Sequence, residues 1–424
     1  MLQPMPGSVI RSITGLQEKV RADAFFEEIR KVERVKIVLK SGKDESLHRL
    51  HPWIFSGAVK NIFGNPAEGD IVDIFDNKNN FLATGHYQPG SIAVRILTFS
   101  REEPDKRFFL SKIRDAFMYR KSLGLIDNPS VNVFRLVHAE GDFLPGLIID
   151  FYNGVAVMQM HSVGMYRIRE ELAAILRETM GERIRAIYDK RAPTIPSKPG
   201  VKGENGFLYG SSDPVTVTEN GYRFRIDWTT GQKTGFFIDQ RDNRRLLASY
   251  TKGRKVLNMF GYTGGFSVYA MQDAECVHTV DSSASATELA DVNVGLNYGD
   301  DPRHRSFRED AFEFLRDIKD KYDLIILDPP AFAKHNNVLS NALQGYKRLN
   351  MKAIEQIRPG GIIFTFSCSQ VVTRENFRKS VFAAAANTGR KVRILHQMTQ
   401  PPDHPVNIYH PESEYLKGLV LYVE

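Results

Sequence analysis

From about Gly231 to the end of the chain, short apolar runs alternate with amphipathic stretches. This constrains the fold more than any other feature. The expected strands are Val256–Met259, Cys276–Asp281, a weaker Arg305–Arg308, Tyr322–Leu327, Ile362–Phe366, Val392–Leu395 and Leu419–Val423. The expected helices between them are Gly265–Gln272, Ala284–Leu296, Ala311–Lys319, Leu339–Gln356 and Arg374–Ala386. Strands that alternate with helices over this length predict an α/β fold: a doubly wound, mostly parallel, Rossmann-like sheet with helices on both faces. Ligands of such sheets sit outside the carboxyl ends of the strands, so the chemistry is sought in the loops that follow them.

Four of those loops are distinctive. The first is Asn258-Met259-Phe260-Gly261-Tyr262-Thr263-Gly264-Gly265, where glycines at a strand-to-helix turn let the backbone approach a ligand closely. The second opens with Asp281-Ser282-Ser283; Asp281 lies 23 residues after Asn258, a spacing that suits an acid accepting two ribose hydroxyls. The third is Asp310-Ala311, placed to meet an adenine amino group, and the fourth is Asp328-Pro329-Pro330-Ala331-Phe332. Taken singly, these read as tight turns, helix caps and a strand stop. Together, in order, on successive strands, they predict a nucleoside-cofactor site. A dinucleotide is disfavoured, because Phe260 stands where G-x-G-x-x-G has its first glycine, and no pyrophosphate cradle is evident. S-adenosylmethionine carries no phosphate and tolerates the looser turn.

Upstream, residues 1–34 read as a charged extension in which Leu16–Val32 is expected as a surface helix or partial disorder. Residues 35–105 contain short runs (Val35–Leu39, Ile71–Phe75, Phe81–Tyr87, Ile92–Leu97) between Asn/Gly/Pro turns and predict a small β-barrel or meander. Residues 106–225 predict an α+β middle domain. A helix is expected over Arg101–Leu125, a hairpin turns at Asn153-Gly154, a second helix spans Tyr166–Met180, and a loop rich in Pro, Lys and Gly spans 192–206. The last domain is expected over 226–424.

Of the net charge of +7, residues 1–225 carry +5, which suits a polyanionic partner. The two cysteines, Cys276 and Cys368, exclude a disulfide scaffold and a structural zinc site built on Cys pairs, so no metal is expected. No apolar run approaches the ~18 residues of a membrane span, and no signal peptide is visible, so a cytoplasmic location without membrane association is expected.

The four loops resemble class I methyltransferases, and Asp328-Pro329-Pro330 resembles their target-base motif. Further segments narrow the resemblance: His51-Pro52-Trp53-Ile54-Phe55-Ser56-Gly57-Ala58, Gly231 to Arg241 (GQKTGFFIDQR), Ser367-Cys368-Ser369, Asp403-His404-Pro405 and Pro411 to Lys417 (PESEYLK). These are similar to the bacterial 23S rRNA cytosine-5 methyltransferases that carry an N-terminal PUA domain. Ala331 departs from the lysine of many members. The resemblance covers about residues 35–424 and implies S-adenosylmethionine as cofactor. It also implies RNA as substrate, either 23S rRNA or an assembly intermediate; a homodimer is compatible with it.

The implied chemistry is covalent: Cys368 adds to carbon 6 of cytosine, carbon 5 takes the methyl, and the cysteine then leaves. Cys368 follows a strand at the carboxyl edge and is expected exposed in the cleft. Cys276 begins a strand at the opposite edge and is expected to pack. Asp328 is expected to hydrogen-bond the polar edge of the base, with Pro329, Pro330 and Phe332 around it. Gln240, Asn258, Phe260, Tyr262, Thr263, Gly264, Asp281, Ser282, Ser283, Asp310, Ala311 and Asp328 are expected around the cofactor. Lys334, Tyr346 and Lys347 are read as either phosphate contacts or a solvated face. Two other readings are methylation of an exocyclic amine, which needs no cysteine, and a non-catalytic RNA-binding module that keeps the cofactor fold.

Overall fold

The computed structural model describes residues 34–190, 204–333 and 335–424. The helix or partial disorder expected at 16–32, most of the loop expected at 192–206, and Lys334 lie outside these residues. The chain divides into two compact units that meet at 102/103.

The first unit is built on one six-stranded sheet in the order Trp53–Phe55, Ile92–Thr98, Phe81–Tyr87, Ile71–Phe75, Val35–Leu39, Val59–Phe63. Val35–Leu39 runs parallel to Ile71–Phe75; the other pairs are antiparallel. Alternate residues (Ile37, Leu39, Val72, Ile74, Val94, Ile96) point to one buried core, as a period of two dictates. Two strands, Trp53–Phe55 and Val59–Phe63, go beyond the sequence expectation. Trp53–Phe55 is only three residues long, and Val59–Phe63 is mostly exposed, so neither shows the alternation of apolar and polar residues that marks a strand.

The second unit opens with the helix Lys106–Ser122, shorter at both ends than the expected Arg101–Leu125 because Asp105 caps its start and the chain turns at Leu123-Gly124. A five-stranded sheet follows in the order Gly206–Tyr209, Ala186–Asp189, Val155–Met160, Leu147–Tyr152, Val133–His138. The hairpin at Asn153-Gly154 is present, with φ of 42° and 94°, the left-handed turn such a pair favours. The expected helix 166–180 is split into Val163–Arg167 and Arg169–Met180. A second hairpin, Val215–Glu219 with Tyr222–Ile226, leads into the last sheet.

That sheet comprises β1 (Lys255–Met259), β2 (Cys276–Asp281), β3 (His304–Arg308), β4 (Leu324–Leu327), β5 (Gly361–Ser367), β6 (Val392–Met398) and β7 (Lys417–Val423), in the order β3-β2-β1-β4-β5-β7-β6. The first five are parallel, and β7 runs antiparallel between β5 and β6. The associated helices are α1 (Arg241–Ala248), α2 (Gly265–Ala270), α3 (Ala284–Tyr298), α4 (Ala311–Phe314), α5 (Leu339–Gln356) and α6 (Arg374–Thr388). This is the doubly wound, mostly parallel architecture expected. Helix α4 ends five residues before the expected Lys319, because the chain turns at Leu315–Asp320 to enter β4; Asp320 takes a φ of 57°.

Both faces of the sheet are buried, as its parallel strands require. Leu324 and Ile326 of β4 and Phe364 and Phe366 of β5 face one core; Ile325, Leu327 and Ile363 face the other. The first core runs on without a break into Tyr152, Val155 and Tyr188 of the five-stranded sheet and Val217, Phe224 and Trp228 of the second hairpin. The two sheets therefore share one apolar interior.

Candidate active site

The turn after β1 is held from three sides. Asn258, 1% exposed, donates through Nδ2 to Ser267 Oγ at 2.9 Å, and Ser267 in turn meets Thr279 Oγ1 at 2.6 Å, which ties α2 to β1 and β2. Phe260 and Tyr262 take φ of 59° and 44°, a left-handed conformation rare for bulky residues and typical of ligand-binding turns. Between them Gly261 has no room for a Cβ, which would lie 2.3 Å from Thr279 Cγ2. Gly264 is left-handed as well (φ 69°), and its missing Cβ makes space for Ala290 of α3.

At the end of β2, Asp281 Oδ2 accepts the N–H of Tyr262 (3.0 Å) and Oδ1 that of Ser283 (2.9 Å). Each oxygen keeps a free lone pair for a further donor, as recognition of two hydroxyls demands. Ser283 caps α3.

Across the cleft, Asp328 Oδ2 accepts from Gln240 Nε2 at 3.1 Å, and Gln240 Oε1 is held by Asn243 Nδ2 at 2.6 Å. Burial and then the neighbouring Asp239 push the Asp328 carboxyl up to about 7, against Gln240, Lys233 and Arg244. Asp328 therefore exists in both protonation states near neutral pH. Burial also raises Asp239, but Lys233, His404 and the hydroxyl of Tyr415 (2.7 Å) outweigh it and hold this carboxyl at about 2.

Cys368 follows β5, with Sγ 3.9 Å from Pro329 O. It is half-buried rather than openly exposed. Burial pushes the thiol up to about 11; Lys233 opposes this, and Asp328 and Asp239 add to it. Cys276 begins β2, is half-buried, and lies at the opposite end of the strands.

These groups line one cleft of about 250 Å³. Of the residues expected at a site, it brings together Gln240, Phe260, Tyr262, Thr263, Asp281, Ser282, Ser283, Asp328, Pro329, Pro330 and Cys368. Five others lie outside its lining. Asn258 and Gly264 shape the turn from behind. Asp310 caps α4, its Oδ1 accepting from Phe312 and Glu313, and Ala311 packs into the core. Phe332 packs against Tyr346, with ring centroids 4.6 Å apart.

The cleft also includes residues to which the sequence reading gave no role: Lys233, Phe237, Asp239, Arg244, Phe266 and Leu416. The first three belong to the Gly231–Arg241 segment, which was legible as a motif without roles. That segment is pinned by distant groups: Thr234 Oγ1 donates to Asp150 Oδ2 at 2.6 Å, and the Tyr262 hydroxyl accepts the Gln232 N–H at 2.8 Å. A roomier groove of about 590 Å³, lined by Leu125, Phe134, Phe151 and the Asp127–Arg183 ion pair, has no comparable set of reactive groups.

A family model described as S-adenosylmethionine-dependent methyltransferase matches residues 203–415, and a PUA-like domain model matches residues 37–99. A ribosomal RNA large subunit methyltransferase I from Tolumonas auensis is 42% identical over 394 residues, covering 91% of this chain and 98% of the relative. The chain belongs to the ribosomal RNA large subunit methyltransferase I family. The relative of that name from Yersinia pestis is 38% identical over 397 residues, covering 92% of this chain and 99% of its own. A solved structure of a methyltransferase complexed with SAH shares the fold at a TM-score of 0.80 and 23% identity, over 92% of this chain and 100% of that one.

The chain is thus an S-adenosylmethionine-dependent methyltransferase. The cleft fits that cofactor chemically: a carboxylate with open lone pairs at the end of β2 and a close-approach turn after β1. Among the described residues, no helix is long and apolar enough to cross a membrane.

Proposed function

We propose that this enzyme forms 5-methylcytidine in large-subunit ribosomal RNA through a covalent Cys368 adduct. What carries the reading is one cleft in which Cys368 and Asp328 stand together with the Phe260–Thr263 turn and Asp281. S-adenosylmethionine, when bound, supplies an electrophilic methyl group. Asp281 would hold the ribose hydroxyls. Phe260, Tyr262, Thr263, Ser282, Ser283 and Gln240 would enclose the rest, with Asn258 and Gly264 supporting the turn from behind.

Cytosine carbon 5 is a poor nucleophile until a thiolate adds to carbon 6 and makes it enamine-like. Cys368 is the nucleophile in this reading. Negative charge then develops on the polar edge of the base, where Asp328, at about 7, can donate a hydrogen bond in its protonated form. Pro329 and Pro330 stiffen the loop that carries it. Loss of the carbon-5 proton and cleavage of the carbon–sulfur bond release the product.

The target base must leave its stack to reach a half-buried thiol, which favours single-stranded or looped RNA. Residues 34–105 and the part of the chain up to 225 would contact the RNA, in keeping with the +5 charge of residues 1–225. The reaction belongs in the cytoplasm, where ribosomal RNA is made.

Cys368→Ala is expected to abolish methyl transfer to ribosomal RNA while S-adenosylhomocysteine still binds. Retained activity in that variant would point to an exocyclic amine and end the covalent reading. Methyl mapping of ribosomal RNA from cells with and without the gene identifies the base: loss of a single 5-methylcytidine is expected.

A further inference from the structure

Lys417 opens β7 and lies opposite Ser367 in the β5–β7 ladder. Its side chain crosses over to donate through Nζ to Ser369 O at 2.7 Å. Ser367 and Ser369 flank Cys368, so the ammonium spans the backbone that presents the thiol. Lys417 is 3% exposed. Among the described residues its only hydrogen-bond partner is that carbonyl, and no carboxylate lies within ion-pair distance of it.

Among the described residues one other lysine, Lys190, is buried in this way, donating to Gly231 O, but it does not flank the thiol. An ammonium taken out of water without a counter-charge is strongly disfavoured. The four buried arginines of the described chain each hold a carboxylate: Arg120 with Asp142, Arg135 with Asp150, Arg241 with Asp403 and Arg244 with Glu219. Burial lowers Lys417 to about 8; Cys368 is the foremost group opposing that fall, followed by Glu414, while Arg374 adds to it. Glu414 is itself engaged by Arg374. The titratable groups acting on Cys368 are Lys233, Asp328 and Asp239, and Cys368 in turn acts on Tyr346.

We propose that Lys417 is a positioning residue for catalysis, a buried cation kept beside Cys368 to pair with the thiolate that forms when the sulfur attacks. The inference rests on the covalent reading above and deepens it. In the step it serves, the S–H bond breaks, the proton leaves to water in the cleft, and the sulfur keeps the electron pair with which it bonds carbon 6. The Lys417 charge offsets the new anion, and does so again when the carbon–sulfur bond breaks and the pair returns to sulfur. The cost of an unpaired buried ammonium in the resting enzyme is thereby turned into stabilisation of the reacting state.

The test is the rate of Cys368 alkylation by iodoacetamide at pH 7, below the about 8 of Lys417 so that its charge is present, in the full chain with Cys276→Ala to silence the other thiol. Lys417→Met and Lys417→Gln are expected to slow alkylation by about tenfold, because the thiolate population sets the rate. They are also expected to lower kcat for methyl transfer with little change in S-adenosylhomocysteine affinity, and Lys417→Arg is expected to restore most of the alkylation rate. The Gln variant can keep a hydrogen bond to Ser369 O, so it tests the charge alone and serves if the Met variant does not fold. An unchanged rate in a folded Gln or Met variant overturns the role of Lys417 and leaves the covalent reading standing. Methyl transfer by Cys368→Ala overturns the covalent reading itself, whatever the alkylation rate.

Discussion

That Asp328 lies at the cleft was legible from Asp-Pro-Pro at a strand end, but its protonation was not. Burial and Asp239 set it, and Asp239 comes from a segment about ninety residues away. The raised carboxyl has a consequence for stability. The folded chain holds a proton on Asp328 between about pH 4 and 7 that the unfolded chain has released, so stability falls as pH rises through that window. Asp328→Asn removes this cost. It is expected to be more stable than the wild type at pH 8 by about 4 kcal/mol, with the advantage vanishing near pH 4, while methyl transfer is lost. Calorimetry at the two pH values measures the first, and a methyl-incorporation assay the second. An Asn variant with no pH-dependent gain would mean that Asp328 titrates normally. For Cys368 the position was legible, since a thiol after a parallel strand must lie at the carboxyl edge. Its burial was not, because the wall that covers it comes from other parts of the chain.

At the scale of elements, alternation located all seven strands of the last sheet to within a few residues. The pattern of burial on two faces is written directly in runs such as Leu324–Leu327. Where a helix stops was less visible: α4 is cut short by the turn into β4, a constraint of chain path rather than of propensity. Asp310 illustrates the same limit. An acid at a helix start serves equally as a cap or a ligand, and in the structure it caps α4 outside the cleft lining. The turn after β1 makes the opposite case. Gly261 was seen as a turn glycine, but the reason it must be glycine is Thr279 on the adjacent strand. Gly261→Ala is expected to keep the fold and to weaken S-adenosylhomocysteine binding by tenfold or more in titration calorimetry, since the turn must shift to clear the methyl group. Unchanged affinity would show that the turn yields without moving its ligand contacts.

For the whole molecule, the continuous core of residues 103–424 is the dominant fact. The hairpin that ends in Glu219 and Ile226 joins the two sheets, and Glu219, fully buried, is gripped by Arg244 through two bonds of 2.8 Å and by the Tyr269 hydroxyl at 3.0 Å. Removing one partner of such a pair strands the other charge in the interior. Glu219→Ala is therefore expected to cost about 3–5 kcal/mol and to lower a single melting transition shared by both sheets. Two separate transitions for them would contradict the shared core. The alternation of strand and helix, the motif loops and the cysteine at a strand end followed from the sequence alone, because hydrophobic period and turn chemistry are local properties. The tertiary structure alone decided which residues share the cleft, that Lys233, Asp239 and Arg244 are among them, and that Lys417 lies buried against Ser369 O with no carboxylate partner among the described residues. Burial, ion pairing and electrostatic potential depend on groups that meet only after the chain has folded.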